Sequence, residues 1–314
     1  MKEIKYIIYG AGMWGKAYLD FLKQLNLDRL IIGFCDKRCE EIKQVSGKQV
    51  LSYEDAKKLG ERFIVAVKDQ TARNEIYSMM DSDGVLYCSM EQIAESEHMD
   101  RVRFNREFCA FFHMDNMDQY FESAESKRNL EIFWGENSIF LKMFSGLNLE
   151  NVIELACGRG RHVMQYFDIA GKITLVDILQ KNIDYCKERF KEKSNITYYR
   201  NDGYDLKELP DNAYTSLFSY DAMVHFEMMD IYGYLVDIYR VLVPGGKALI
   251  HHSNYDTDYK ASFENSVNGR SFMSKKLFAY LAYRAGFEIL RQEVIDWTEK
   301  DLDCITLLQK HIER

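Results

Sequence analysis

His162, His225, His251 and His252 are four of only seven histidines in the chain. Each falls at the end of an apolar run or opens the helical stretch after a glycine turn, so a parallel sheet would gather them at one edge. An imidazole titrates near pH 6.5, and a cluster of them points to acid–base chemistry. His225, in "YDAMVHF", is the first candidate for a proton acceptor. His251 and His252 are adjacent in "ALIHHSN", where strand alternation aims them at opposite faces. One of the pair is a second catalytic candidate and the other structural. Asp221, Asn254 and Asp256 carry metal-binding oxygens without the close spacing of a metal site, so none is expected. Arg270, in "NGRSF", is either a contact for an anionic substrate or a surface residue.

Two glycine turns compete to define the ligand. "YGAGMWG" at 9–15 has the G-x-G-x-x-G spacing of a dinucleotide-binding turn, and "ELACGRG" lies at 154–160. Each follows an apolar run and opens a helical pattern, so each lets backbone approach a nucleotide. Each is followed by a strand ending in an acid that can accept from ribose hydroxyls: Asp36 in "LIIGFCD" and Asp177 in "KITLVDI". The first turn lacks the second mononucleotide half of a full dinucleotide domain, because a helical stretch begins near residue 93. A nicotinamide redox site is therefore not expected there.

The elements that must carry these residues fall in three pieces. Residues 1–92 read as a small Rossmann-like α/β domain, with strands at "KYIIYG", "LIIGFCD" and "FIVAV", helices at "KAYLDFLKQL" and "TARNEIYSMM", and a further short strand at "GVLYC". Residues 93–150 hold no proline and read as a helical connector or lid, in which Phe104, Phe108, Phe111 and Phe112 form a packing stripe. Residues 151–314 alternate strands and helices, with two closing strands at "FEILRQEVIDW" and "DCITLLQK". Seven strands there complete a doubly wound sheet whose last pair is antiparallel.

Composition excludes several classes. The net charge is −8, with no long basic run, so binding to nucleic acid by charge is not expected. No apolar stretch reaches the roughly 20 residues needed to span a bilayer. The N-terminus lacks a signal-peptide core, and the seven scattered cysteines suit reduced thiols; a cytoplasmic protein is expected.

The third piece resembles the class I S-adenosylmethionine-dependent methyltransferases over about 150–310. The resemblance rests on "ELACGRG", "LVDI", "ND" at 201–202, "LFSYDAMVHF" and "RVLVPGGKALI", in that order. It implies S-adenosyl-L-methionine as cofactor. Glu154 would face the methionine amino group. Gly158 and Gly160 would admit the backbone to the cofactor, with Ala156 where the family usually has its first glycine. Asp177 and Ile178 would hold the ribose, Asp202 and Gly203 the adenine, and Ser219 and Tyr220 the methionine end. The first piece is similar to the small N-terminal modules of bacterial sugar-modifying enzymes, through "IYGAG", "GFCD", "GKQVLSYEDA" and "FIVAV". That resemblance implies a nucleotide-linked sugar or a partner protein there. The expected activity is O-methylation of a small molecule or sugar. The alternatives are N- or carboxyl-methylation of a small metabolite, or nucleotide-sugar binding or oxidoreduction through the first domain.

Overall fold

The computed structural model describes residues 4–59, 61–115 and 118–312, backbone alone at 113–115, 118 and 119. The chain divides into two compact units, Met1–Phe104 and Asn105–Arg314.

The first unit is built on β1 (Tyr6–Tyr9), whose four residues are all buried between two neighbouring strands of a five-stranded sheet. A strand covered on both faces reads as a continuous apolar run, as "YIIY" does. After the glycine turn, α1 (Met13–Gln24) buries Ala17, Tyr18, Phe21 and Leu22 at helical spacing. Next come β2 (Ile31–Cys35), a hairpin of β3 (Gln44–Val45) and β4 (Lys48–Leu51), α2 (Tyr53–Lys57), β5 (Arg62–Val65), α3 (Gln70–Ser82) and α4 (Met90–Ser96). The sheet order is β3-β4-β2-β1-β5, parallel except within the hairpin. "GVLYC" forms one isolated bridge, Phe63 to Tyr87, instead of the expected strand. The α3 terminus takes up the preceding backbone: Val85 N–H donates to Met80 O, leaving too short a run to pair.

Helix α5 (Arg101–Asp115) precedes α6 (Asp118–Ala124), α7 (Lys127–Trp134) and α8 (Ile139–Phe144). Phe104, Phe108, Phe111 and Phe112 are all buried, as the packing stripe required. The second unit's sheet comprises β6 (Asn151–Leu155), β7 (Lys172–Asp177), β8 (Ile196–Arg200), β9 (Tyr214–Ser219), β10 (Leu242–Ser253), β11 (Phe287–Ile295) and β12 (Asp303–Lys310). Between them lie α9 (Val163–Tyr166), α10 (Gln180–Arg189), α11 (Met228–Val241) and α12 (Lys275–Arg284). The order is β11-β12-β10-β9-β6-β7-β8, and β12 runs antiparallel to both β10 and β11. This is the seven-stranded, doubly wound α/β sheet with the antiparallel closing pair that the alternation implied. Its order reverses beside β6, so a crevice opens at the carboxyl ends of β6 and β9, where ligands of open α/β sheets bind.

Candidate active site

A cleft enclosing about 1030 Å³, partly open to solvent, lies at those carboxyl ends within the second unit. Of the residues expected at a site, Ala156, Gly158, Asp177, Ile178, Gly203, Tyr220 and His225 line it. Glu154, Gly160, Asp202, Ser219, His251 and His252 are not part of its wall.

The glycine turn is shaped by backbone conformation. Ala156 has φ 58°, left-handed backbone that costs a residue with a Cβ roughly 1–2 kcal/mol. Gly160 has φ 74°, and a Cβ there would lie 2.5 Å from the Phe190 ring, so this glycine serves packing against α10 instead of approach to a ligand. Asp177 closes the turn: Oδ2 accepts from Gly158 N–H at 2.9 Å, and Oδ1 from Leu179 N–H at 2.9 Å and Asn182 Nδ2 at 3.2 Å. Burial still pushes Asp177 up to about 6, because those donors are neutral.

Glu154 sits beneath this turn, 1% exposed. Its Oε2 accepts from Tyr166 Oη at 2.8 Å, and its Oε1 has no partner among the described residues. Burial raises it to about 8, against smaller opposing effects from Tyr166, Arg161 and Arg189. Ser219 Oγ is also buried without a partner among the described residues. At the end of β8 the residue in the cleft is Asn201, not Asp202. Asp202 faces solvent, paired with Lys207 at 2.6 Å and Arg200 at 3.4 Å.

The histidines separate by tautomer. His225 Nδ1 lies 2.8 Å from the Gly269 carbonyl, which can only accept, so the neutral ring carries its lone pair on Nε2. His251 Nδ1 accepts from Asp221 N–H at 3.1 Å, and its Nε2–H donates to Asp303 at 3.1 Å. That removes His251 as a base, because its accepting nitrogen is held by backbone. His252 points to the opposite face, stacked on Phe278 at 3.8 Å, with Nε2 accepting from Thr306. Burial drops it to about 3. It cannot reach the cleft. His162 is neutral for the same reason, its Nδ1 accepting from Trp134 Nε1 at 3.0 Å inside an aromatic cage. Arg270 neither faces solvent nor enters the cleft: it is 3% exposed and holds Asp303 through Nε at 3.0 Å and Nη2 at 2.6 Å.

Sequence reasoning missed the wall supplied by α5 and α6. Arg106 forms a bidentate pair with Asp230 (2.9 and 2.6 Å), and Tyr120 Oη donates to Asp221 Oδ2 at 2.9 Å. Phe121 lies over the glycine turn, 3.1 Å from where a Gly158 Cβ would stand, and Arg159 stacks on its ring. The two hydrogen-bonded pairs join residues more than a hundred positions apart. Only Asn182, five residues past Asp177, carried a local signal.

Residues 152–246 match the model of a methyltransferase domain, and residues 5–80 match the PglD N-terminal domain. The chain carries a methyltransferase domain. This methyltransferase is 22% identical over 214 residues to a demethylmenaquinone methyltransferase of Tropheryma whipplei, covering 68% of this chain and 83% of the relative. Among solved structures it is similar to an S-adenosylmethionine dependent methyltransferase from Mesorhizobium loti (15% identity, 55% of this chain and 97% of that one, TM-score 0.45). It is also similar to the YcgJ protein of Bacillus subtilis (14% identity, 55% and 97%, TM-score 0.44). No helix among the described residues is long and apolar enough to cross a membrane.

The cofactor of this enzyme is S-adenosylmethionine, and the site fits it. Three donors fill three of about four acceptor positions on Asp177, leaving room for a ribose hydroxyl. Among the described residues Asn201 Oδ1 is buried without a partner, as is Glu154 Oε1, an acid that burial leaves protonated near neutral pH until a cation joins it.

Proposed function

We propose that the enzyme methylates a hydroxyl of a small molecule or a sugar, with His225 as the proton acceptor. The observation that carries this reading is the His225–Gly269 hydrogen bond on the cleft wall, which fixes the tautomer with a basic Nε2. When bound, S-adenosylmethionine supplies a methyl group already activated by its positive sulfur. The protein's tasks are to hold the acceptor in line and to take its proton. Asp177, Ile178, Asn201 and Gly203 would hold the nucleoside, with Tyr220 on the wall toward the amino acid end and the buried oxygens of Glu154 and Ser219 behind it.

The sugar alternative draws on the first unit, whose match to the PglD N-terminal domain suits a nucleotide-linked sugar. In that unit Asp36 Oδ2 accepts from Ala11 N–H at 2.7 Å, closing its glycine turn in the manner of a nucleotide site.

The test is a screen of sugars, nucleotide-sugars and small hydroxyl compounds with labelled S-adenosylmethionine, followed by His225→Asn. The substitution keeps a polar group but cannot take a full proton, so turnover falls by roughly 10²–10⁴ while S-adenosylhomocysteine affinity holds within a few fold. Near-normal turnover in the variant makes His225 a packing residue; parallel loss of turnover and cofactor affinity makes it part of the cofactor site.

A further inference from the structure

Asp221 stands out among the cleft residues that this reading does not yet use. It follows β9, on the opposite side of β6 from β7 and β8, which carry Asp177 and Asn201. A nucleoside held by those two residues would leave the β9 side of the cleft, where Asp221 stands, for its sulfur end and the acceptor. The residue has φ 56°, and its N–H is fastened to His251, itself fixed by Asp303 and Arg270. That buried chain holds the Asp221 carboxyl at one place on the wall. The side chain is only 9% exposed. Burial acts to raise its pKa, but the Arg161 guanidinium, by its charge and its hydrogen bond, outweighs burial and holds it below the usual carboxylate range, so it is a carboxylate.

Both donors to that carboxylate, Arg161 Nη2 at 2.7 Å and Tyr120 Oη at 2.9 Å, fall on Oδ2. Among the described residues Oδ1 accepts no hydrogen bond. The cleft's arginines are all engaged: Arg161 with Asp221, Arg106 with Asp230, and Arg159 stacked over Phe121 and Tyr185. An anionic group at this end would meet a carboxylate and find its counter-charges already taken.

Resting on the methyltransferase reading above, we propose that Asp221 Oδ1 orients the methyl acceptor by accepting a hydrogen bond from it. The acceptor accordingly presents a neutral or cationic O–H or N–H donor, with no anionic group beside the accepting atom. Asp221 is then the specificity residue, and His251 positions it.

No acceptor is needed to test this. Sinefungin carries an ammonium-bearing carbon where S-adenosylmethionine has its methylated sulfur, and S-adenosylhomocysteine has no charge there. Calorimetric affinities of the two are compared in the wild type, Asp221→Asn and Tyr120→Phe. The wild type should favour sinefungin by on the order of tenfold, the scale of a charge-assisted hydrogen bond. Asp221→Asn should bring the ratio near one, and Tyr120→Phe, which removes a competing donor, should widen it a few fold. A wild-type ratio near one, or a ratio unchanged in Asp221→Asn, overturns the proposal. If Asp221→Asn does not fold, Tyr120→Phe decides: a wider ratio supports the proposal and an unchanged one overturns it. A wild type that binds neither compound brings down the methyltransferase reading as well, whereas binding without preference removes only the role of Asp221.

Discussion

The two glycine turns are alike in sequence and opposite in electrostatics. In the first unit Asp36 accepts from Ala11 N–H, and its carboxylate is also gripped by its near neighbour Arg38, through backbone N–H at 2.9 Å and Nε at 3.2 Å. Burial works against it, but the Arg38 contacts win and hold Asp36 below its ordinary value. In the second unit Asp177 receives, among the described residues, three neutral donors and no cation, and burial carries it up to about 6. The glycines differ as well. A Cβ on Gly15 would stand 1.8 Å from Gly10 O, so that glycine exists to let α1 pack on its own turn. The spacing of glycines therefore identifies the turn, while the partners of the following acid show whether its acceptor capacity has been spent within the protein.

Removing the two acids should separate the turns most clearly. Asp177→Ala is expected to weaken S-adenosylhomocysteine binding by roughly 1.5–3 kcal/mol, the scale of hydrogen bonds to a charged group. Asp36→Ala should leave that affinity unchanged. Calorimetry on both folded proteins checks this; equal losses would dissolve the contrast and place the cofactor on neither turn alone.

Much of this contrast could be read from the sequence, and its decisive part could not. Strand, turn and helix at each glycine motif follow from apolar runs and local backbone demands, and the acids Asp36 and Asp177 fall at predictable strand ends. The fates of the histidines depend on distant partners. His251 is spent on Asp221 and Asp303, and His252 stacks on Phe278, because β12 and α12 pack against β10. At the end of β8 the resemblance implies an acid, Asp202, and not its neighbour Asn201. The pleat of β8 and the neighbouring Lys207 put the amide in the cleft and the acid in water. Tyr120 and Phe121 lay in a stretch whose helical pattern carries no trace of the cleft it walls.

Stability against pH should sharpen the same contrast with a smaller effect. Glu154, raised from 4.5 to about 8, binds its proton more tightly in the folded chain than in the unfolded one. Its contribution is complete below the unfolded value and is lost as pH rises through about 8. Asp177 acts with the same sign at lower pH. Without cofactor, Glu154→Gln should therefore be more stable than the wild type at pH 9, by on the order of 1–3 kcal/mol, and about equal to it at pH 4. Asp36, lowered in the fold, works in the other direction: its contribution is present above the ordinary carboxylate range and is lost on acidification. Denaturant titrations at the two pH values check both signs. An advantage for Glu154→Gln that is greater at pH 4 than at pH 9 would contradict the buried, protonated acid.

The smallest effect concerns the first position of each turn. Gly10 occupies it in the first unit with φ 107°, and Ala156 in the second with φ 58°. The Ala156 methyl is held in left-handed backbone that glycine adopts without strain, so Ala156→Gly relieves roughly 1–2 kcal/mol in the folded state. Glycine also loses more chain entropy on folding, roughly 0.5–1 kcal/mol. The two oppose each other, and the strain is the larger, so Ala156→Gly should stabilise the protein by about 0.5–1 kcal/mol. Because Ala156 also lines the cleft, its methyl is a wall as well as a strain. If that wall touches the cofactor, the same substitution loosens S-adenosylhomocysteine by up to a few fold while the melting temperature rises. Stability and affinity measured on one variant therefore distinguish a methyl kept for contact from one that the turn merely tolerates. A loss of stability would mean that Ala156 is better accommodated than its φ implies, and would remove the strain from the account of this turn.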